Sequence, residues 1–457
     1  MKGQCRKQYG SERRVAMSLI PPEKLQKLQA ALHAKAKASP DQRFHALYDK
    51  VYRWDVLAHA YERCRANGGA AGVDGQTFAD IEKYGVSPWL GELAKELKDK
   101  TYRPSAVRRV WIPKPDGTKR PLGIPTIKDR VAQTAAMLVL EPIFEADLQP
   151  EQYAYRENVN PLEAVNQVRN LLNSGHTQVV DADLSGSFDS IPHAELMQCL
   201  RRRIVDGAML HLLKMWLEAP VEEIDERGNK QRTTRNKDQG KGTPQGAPIS
   251  PLLSNVYMRR FVYGWKKLGL MARLKAHIVN YADDFVICCR GTAEQAAAAM
   301  RNMMSRLRLT VNETKTQVCQ VPAETFDFLG YTFAEHRSAR TGRKLLCGAP
   351  SAKRIVRVCE KISTMTGRGR GYLSVEQMVF ELNQVLGGWA NYFCLGPISA
   401  AYRKINSHVR YRFRRWWERK HKTRVSGSRW YWSPWLEEKF GLLQLKWDPS
   451  RLPQAKP

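Results

Sequence analysis

Tyr281-Ala282-Asp283-Asp284 lies between two apolar runs, Ala276-His277-Ile278-Val279 before it and Phe285-Val286-Ile287-Cys288-Cys289 after it. This pattern predicts a β-hairpin with two adjacent carboxylates at its tip, although Asp is also an ordinary turn residue. Paired acids on rigid strands suit two Mg²⁺ ions that activate a primer 3′-hydroxyl and clamp a triphosphate. A third carboxylate on a neighbouring strand decides between catalysis and a solvated turn.

The run Thr177-Gln178-Val179-Val180-Asp181-Ala182-Asp183-Leu184 supplies one. It is β-branched and ends in acids, and residues two apart on a strand share a face. Asp181 and Asp183 therefore point the same way, with Asp183 nearer the strand end, where Ser185-Gly186-Ser187 breaks the chain. Asp183 and Asp283 are 100 residues apart, enough for the helices and strands of a polymerase palm. Asp183, Asp283 and Asp284 are the predicted catalytic trio for in-line nucleotidyl transfer. Asp181 is the weaker candidate, with an orienting role open.

Composition narrows the partners. In 457 residues, 74 Lys and Arg face 45 acids, a net charge of +29 and a pI near 9.8. Nucleic acid is the default polyanion for such a chain. No apolar run approaches the ~20 residues of a spanning helix, so no membrane partner is expected. The opening Met1-Lys2-Gly3-Gln4-Cys5 has no apolar signal core. Nine scattered cysteines without a C-x-x-C pair suggest neither a zinc module nor a disulfide framework. A reduced, cytoplasmic protein of two to four domains is expected.

Residues 1–40 read as a basic, helix-prone, mobile leader. Leu47, Val51, Trp54, Leu57, Ala58 and Tyr61 recur at helical spacing, predicting one helix over Phe44–Arg65 that stops in the glycine-rich stretch Asn67–Gly75. A further helix is predicted over Trp89–Leu97. A hairpin follows, with arms Val107–Ile112 and Arg120–Ile124 around the turn Pro115-Asp116-Gly117-Thr118. Helical windows follow at Val131–Leu140 and Ala293–Leu307, and the second reads as core packing beside the acidic hairpin. Further on, Ile355, Val358, Ile362 and Met365 form an apolar stripe, and Arg354, Arg357 and Lys361 a basic one. Met378, Leu382, Val385, Leu386 and Trp389 define another helix. Tyr402–Arg424 holds ten Lys/Arg against the single acid Glu418, interleaved with Tyr411, Phe413, Trp416 and Trp417. Charge runs are usually solvated faces, but interleaved rings favour RNA, because bases stack while phosphates meet cations. Arg354, Arg357, Lys361, Arg412, Arg414, Arg415 and Trp416 are the nucleic-acid candidates.

Between the two acidic strands lies Gly242-Thr243-Pro244-Gln245-Gly246-Ala247-Pro248-Ile249-Ser250-Pro251-Leu252-Leu253-Ser254-Asn255. Gly246 permits close backbone approach, the prolines fix the chain before a helix that starts near Leu252, and Gln245 is placed to reach a nucleotide or template. The 107–124 hairpin concentrates Arg108, Arg109, Lys114, Lys119 and Arg120. Such cations can grip a triphosphate through charge-assisted hydrogen bonds, although exposed hairpins also carry lysines for solubility. Arg108 and Lys114 lead this set, with Arg120 next.

The order of motifs resembles that of a bacterial group II intron-encoded reverse transcriptase and maturase, from about Phe44 to Arg424. The blocks are Asn67…Gly72-Val73-Asp74-Gly75, Ile112-Pro113-Lys114-Pro115 through Leu122-Gly123-Ile124-Pro125, and Asp181-Ala182-Asp183-Leu184. Thr243-Pro244-Gln245-Gly246, Tyr281-Ala282-Asp283-Asp284, Leu309–Thr316 and Phe328-Leu329-Gly330-Tyr331 follow. Gly387-Gly388-Trp389-Ala390-Asn391-Tyr392-Phe393 is similar to the family's thumb, or maturase, domain. The resemblance implies an α+β right-hand polymerase of fingers, palm with antiparallel sheet, and thumb, with a helical, basic C-terminal region. It implies residues 41–150 as fingers, 151–345 as palm, 346–400 as thumb and 401–457 as a nucleic-acid-binding tail.

The implied activities are RNA-templated DNA synthesis from dNTPs on an RNA template with a DNA primer, and assisted splicing of a group II intron RNA. Target DNA is a further implied partner, through intron mobility. The implied metal set for two Mg²⁺ is Asp183, Leu184, Asp283 and Asp284. The implied nucleotide set is Arg108, Lys114, Arg120, Ser187, Phe188 and Gln245. Three departures stand out. No His-Asn-His nuclease module follows the thumb, so target-strand cleavage is not implied. Tyr155–Pro161 lacks the family's Pro-Gly-Arg-like sequence. Ser187 replaces a larger, often aromatic, residue four places after Asp183, and Phe188 beside it is the ring that could fill the gap. A maturase without polymerase activity and a free-standing reverse transcriptase recruited to defence or repair are the alternatives.

Overall fold

The predicted hairpin and acid strand form in one sheet. The structure, a computed structural model, describes residues 20–113, 117, 119–225, 229–337, 342–422, 438–448 and 450. In chain order its strands are β1 (Val107–Pro113), β2 (Lys119–Ile124), β3 (Gln178–Asp183) and β4 (Val221–Ile224). Next come β5 (Lys230–Thr233), β6 (Ala276–Tyr281), β7 (Asp284–Cys289) and β8 (Gln317–Gln320). The last are β9 (Phe326–Phe328), β10 (Tyr331–Arg337) and β11 (Lys344–Pro350). Two compact units share them, one from Met1–Leu148 with Gly186–Arg260, the other from Gln149–Ser185 with Phe261–Pro457. The units interleave along the chain, because β3 pairs with strands a hundred residues later.

The first unit is built around the helix Ile127–Glu145, which is apolar on nearly every side and correspondingly buried. Thr126 caps it, accepting from the Asp129 N–H. Pro142 inside the helix has no N–H for the Leu138 carbonyl. Gln29 Nε2 donates to that carbonyl instead, at 3.0 Å. Gln29 belongs to the helix Glu23–Ala38, whose Leu25 and Ala36 are fully buried, so the second half of the expected mobile leader is a packed helix. Residues 1–19 lie outside the described residues.

The helix expected over 44–65 is two pieces, Tyr48–Val51 and Trp54–Asn67, because Arg53 is extended between them. The break turns Trp54 outward, to 52% exposure, although it shares the helical spacing of its apolar neighbours. The glycine stretch that follows is tied to Arg130, whose guanidinium donates to the Gly68 and Ala70 carbonyls. The sheet of this unit has the order β2-β1-β4-β5.

In the second unit the sheet order is β6-β7-β3-β8, every pair antiparallel. The helix Ala293–Arg306 covers one face with Ala296, Ala297, Met300 and Met304, the core packing expected of that window. On the other face, Val179, Val279, Val286 and Cys288 join the helix Pro161–Asn173 and the β11-β10-β9 sheet in one apolar cluster. Helices Ala352–Met365, Val375–Tyr392 and Ser399–His421 share a separate core centred on Ile362, Met378, Leu382, Leu386, Ile405 and Phe413. Among the described residues all cysteines are free, and no helix is long and apolar enough to cross a membrane.

Candidate active site

Tyr281 and Asp284 form the last cross-strand pair of the hairpin, leaving Ala282-Asp283 as a two-residue turn. Ala282 takes the left-handed φ of 59° that such tight turns demand. In the β3–β7 ladder Asp183 faces Asp284, and Asp181 faces Val286. Asp181, Asp183 and Asp284 therefore share one face of the sheet. That same face is apolar further along, at Val179, Val286 and Cys288. The acids thus stand where a packed core gives way to an acidic strand end.

This position sets their electrostatics. Burial pushes the Asp284 carboxyl up to about 7, with Asp181, Asp283 and Asp183 adding like charge and the Leu329 N–H partly offsetting it. Burial likewise pushes Asp181 up to about 6, opposed by a hydrogen bond from Gln317 Nε2 at 3.3 Å. Asp183 is held differently. Its Oδ2 accepts from Lys315 Nζ at 2.9 Å and Asn312 Nδ2 at 3.2 Å, and its carbonyl accepts from the Asn312 N–H at 2.8 Å. The Leu184 side chain is buried, so within the metal set only its carbonyl is a candidate ligand.

Sequence reasoning assigned no role to Asn312, Lys315, Gln317 or Leu329. The blocks Leu309–Thr316 and Phe328–Tyr331 carried the signals for Asn312, Lys315 and Leu329, while Gln317 lay outside both; only the fold brings them to the acids. Leu329 and Gly330 both adopt positive φ, 52° and 82°, which turns the Leu329 N–H toward Asp284. Behind the turn, Tyr392 Oη donates to the Leu329 carbonyl at 2.8 Å.

The donor set is all oxygen, three carboxylates and the Leu184 carbonyl, which suits a hard divalent cation, and the like charge crowded around Asp284 is the charge such a cation would balance. In the conformation described, Asp183 is turned to Lys315 and Asn312. Among the described residues no three acidic, imidazole or thiol groups converge as a metal cage.

In the first unit, Gln245 lies between a cation and an acid. Arg120 Nε donates to its Oε1 at 3.2 Å, and its Nε2 donates to Asp189 at 2.9 Å. The Gln245 carbonyl accepts from the Gly123 N–H at 2.6 Å. Gly246 has φ 105°, and a Cβ there would sit 2.5 Å from the Gly123 carbonyl oxygen, so only glycine lets this loop lie against β2. Arg120 and Gln245, both predicted, are thus brought together. Asp189, within electrostatic reach of Arg109, Arg235 and Arg120, was missed. The Nε atoms of Arg108 and Arg109 are buried without a hydrogen-bond partner. Lys114 lies outside the described residues, as does the Ser187 side chain. The Ser187 backbone starts a short helix, Ser187–Ser190, after the left-handed Gly186. Phe188 is buried, and its carbonyl accepts from the Thr243 N–H.

The basic helices need one correction. Arg354, Arg357 and Lys361 are exposed along Ala352–Met365, as expected. Trp416, predicted to stack on bases, is 1% exposed, with its Nε1 donating to the Arg370 carbonyl at 2.9 Å. It faces the core because the 3.6-residue period puts it on the side of Val409 and Phe413. Arg412 ties the helix to the Ser363 carbonyl and the Thr366 hydroxyl, and Arg414 pairs with Glu418. Arg415 is exposed, 6.0 Å over the ring of Tyr411, the exposed aromatic of this helix.

The chain belongs to the group II intron-type reverse transcriptase and maturase family. Residues 112–333 match the family described as reverse transcriptase (RNA-dependent DNA polymerase). Residues 355–433 match the group II intron, maturase-specific domain. Protein YkfC of Escherichia coli is 30% identical over 366 residues, covering 72% of this chain and 93% of that protein. Group II intron-encoded protein LtrA of Lactococcus lactis is 26% identical over 367 residues, covering 66% of this chain and 59% of that protein. The solved "Partial Cas6-RT-Cas1--Cas2 complex" gives a TM-score of 0.36 at 21% identity, covering 57% of this chain and 42% of that one. The chain spans nearly all of the first relative but under two thirds of the second. Enzymes of the reverse transcriptase family use divalent metals.

Proposed function

We propose that Asp183, Asp283 and Asp284 are the catalytic acids of RNA-directed DNA synthesis in this chain and hold two Mg²⁺ ions. The observation that carries this reading is the direct pairing of Asp183 with Asp284 across β3 and β7, beside Asp283 and at the edge of a core that raises the Asp284 carboxyl to about 7. An acid cluster that Lys315 balances only in part costs folding free energy, and such clusters are commonly kept where a cation is bound. Two Mg²⁺ ions would supply activation of the primer 3′-hydroxyl and neutralisation of the developing phosphate charge. Lys315 and Asn312 hold Asp183 in the form described, and Leu329 fixes Asp284 through its N–H. Gln317 orients Asp181, which supports the cluster.

In the first unit, Arg120, Gln245 and Arg108 are assigned to the incoming dNTP, together with Lys114 and the Ser187 position. The 41–150 stretch serves as fingers, 151–345 as palm and 346–400 as thumb. Arg354, Arg357, Lys361 and Arg415 present cations for an RNA template with its DNA primer, and for group II intron RNA during splicing. Target DNA would meet the same surfaces during intron mobility.

Primer extension on poly(rA)/oligo(dT) tests the acids. Asp283→Asn should abolish extension while RNA affinity, dominated by the cations, changes little. Wild-type extension by that variant would overturn the assignment.

A further inference from the structure

At the end of the β6-β7-β3 sheet opposite the acids, a cavity of about 560 Å³ is lined by His176, Lys266, Lys275, His277 and Arg290. His176 and Lys275 precede β3 and β6, His277 lies on β6, and Arg290 follows β7. Six residues of strand, at about 3.3 Å each, put this cavity roughly 20 Å from the carboxylates. It is a separate place in the second unit.

Three cations line it. Lys266 pairs with Glu151 at 3.1 Å. Arg290 donates to the Ser174 carbonyl, which leaves its charge unbalanced. The Lys275 side chain is exposed and has no ionic or hydrogen-bond partner among the described residues. The two imidazoles meet edge to face, centroids 4.8 Å apart, and His176 Nδ1 lies 3.0 Å from the Ser174 hydroxyl. The cavity therefore offers excess positive charge and ring nitrogens to one occupant, with Glu151 as the one carboxylate paired with them among the described residues.

We propose that this cavity binds a phosphate dianion, carried either by a nucleic-acid terminus or by an inorganic phosphate. Cations gathered around a single concavity suit a discrete phosphate, whereas a diester backbone is met by a stripe of them. The imidazoles add a pH response. Burial holds both below the usual histidine range, with His277 and Arg290 adding to the effect at His176 and Arg290 opposing Glu151 at His277. An anion seated among Lys266, Lys275 and Arg290 offsets that positive field and favours protonation of both rings. For an anion of constant charge, binding therefore takes up protons and strengthens as pH falls.

The test is calorimetric titration of the full chain with inorganic phosphate, in EDTA so that metal-dependent binding at the acids is removed. Wild type should bind, and Lys275→Glu should weaken binding about tenfold or more while keeping primer extension. Sulfate, whose charge does not change over this range, should bind more tightly near pH 6 than near pH 8, and the His176 and His277 ring resonances should shift on addition. Short RNAs with a 5′-phosphate or a 5′-hydroxyl separate the sources. Preference for the 5′-phosphate identifies a nucleic-acid end, and equal affinity with inorganic phosphate still bound identifies the inorganic anion. Phosphate binding that is unchanged in both Lys275→Glu and Arg290→Gln, or histidine resonances that do not move, would overturn the proposal.

Discussion

Asp284→Asn should stabilise the metal-free protein at alkaline pH. The Asp284 carboxyl is raised from 3.8 to about 7, first by burial and then by Asp181, Asp283 and Asp183. A carboxyl whose folded pKa lies above its unfolded one makes the native state bind more protons than the unfolded chain. Stability is then fully present below about pH 4, falls as pH rises, and levels off above about pH 7. A shift of about three units at ~1.4 kcal/mol each gives an upper limit of about 4 kcal/mol. About 2.5 kcal/mol of that falls between pH 5 and pH 8. Asparagine keeps the shape without the charge, so its advantage over wild type should grow by up to that amount across the same interval. Urea unfolding in EDTA at the two pH values, followed by tryptophan fluorescence, measures it. Adding Mg²⁺ at pH 8 should raise wild-type stability and leave Asp284→Asn nearly unmoved. A variant-minus-wild-type difference constant within about 0.5 kcal/mol from pH 5 to pH 8 would refute the reasoning.

Trp416→Ala should lower stability by about 3–5 kcal/mol, as for other buried tryptophans, and leave the RNA affinity of the folded fraction unchanged; thermal unfolding and filter binding separate the two effects. Arg415→Gln should reduce the slope of log K for RNA against log salt by roughly 0.7–0.9, the value for one phosphate contact. Arg412→Gln should act on stability instead, because its guanidinium holds Ser363 and Thr366. Ser187→Phe should strengthen discrimination against ribonucleotides, since a bulky side chain there would collide with a 2′-hydroxyl that serine admits. Single-nucleotide incorporation of dATP and ATP, compared as kcat/KM ratios, checks it; a wild-type preference already equal to that of the variant would end the open-gate idea.

Much of the site was legible in sequence because two-residue periodicity and turn chemistry are local. Alternation in 177–184 placed Asp181 and Asp183 on one face, and the apolar runs around Asp283-Asp284 implied the hairpin. Gln245-Gly246 announced a close backbone approach before its partner, Gly123, was known. Where the local pattern misled, a single residue was responsible. Arg53 breaks a helix that the apolar spacing continued, turning Trp54 outward. Pro142 frees a carbonyl that draws the residue 23–38 helix into the first unit.

The sequence by itself determined which residues are acids, which are cations and which strands could carry them, because strand period, turn propensity and charge reside in neighbouring residues. Only the tertiary structure decided what surrounds them. The partnership of Asp183 with Asn312 and Lys315 joins positions more than 120 apart, and the turn of Leu329 toward Asp284 depends on two left-handed residues in succession. The inward face of Trp416 and the gathering of His176, His277 and Arg290 at one strand end likewise follow from register and helix phase. A pKa depends on burial and on distances between charges, and neither exists until the chain has closed on itself.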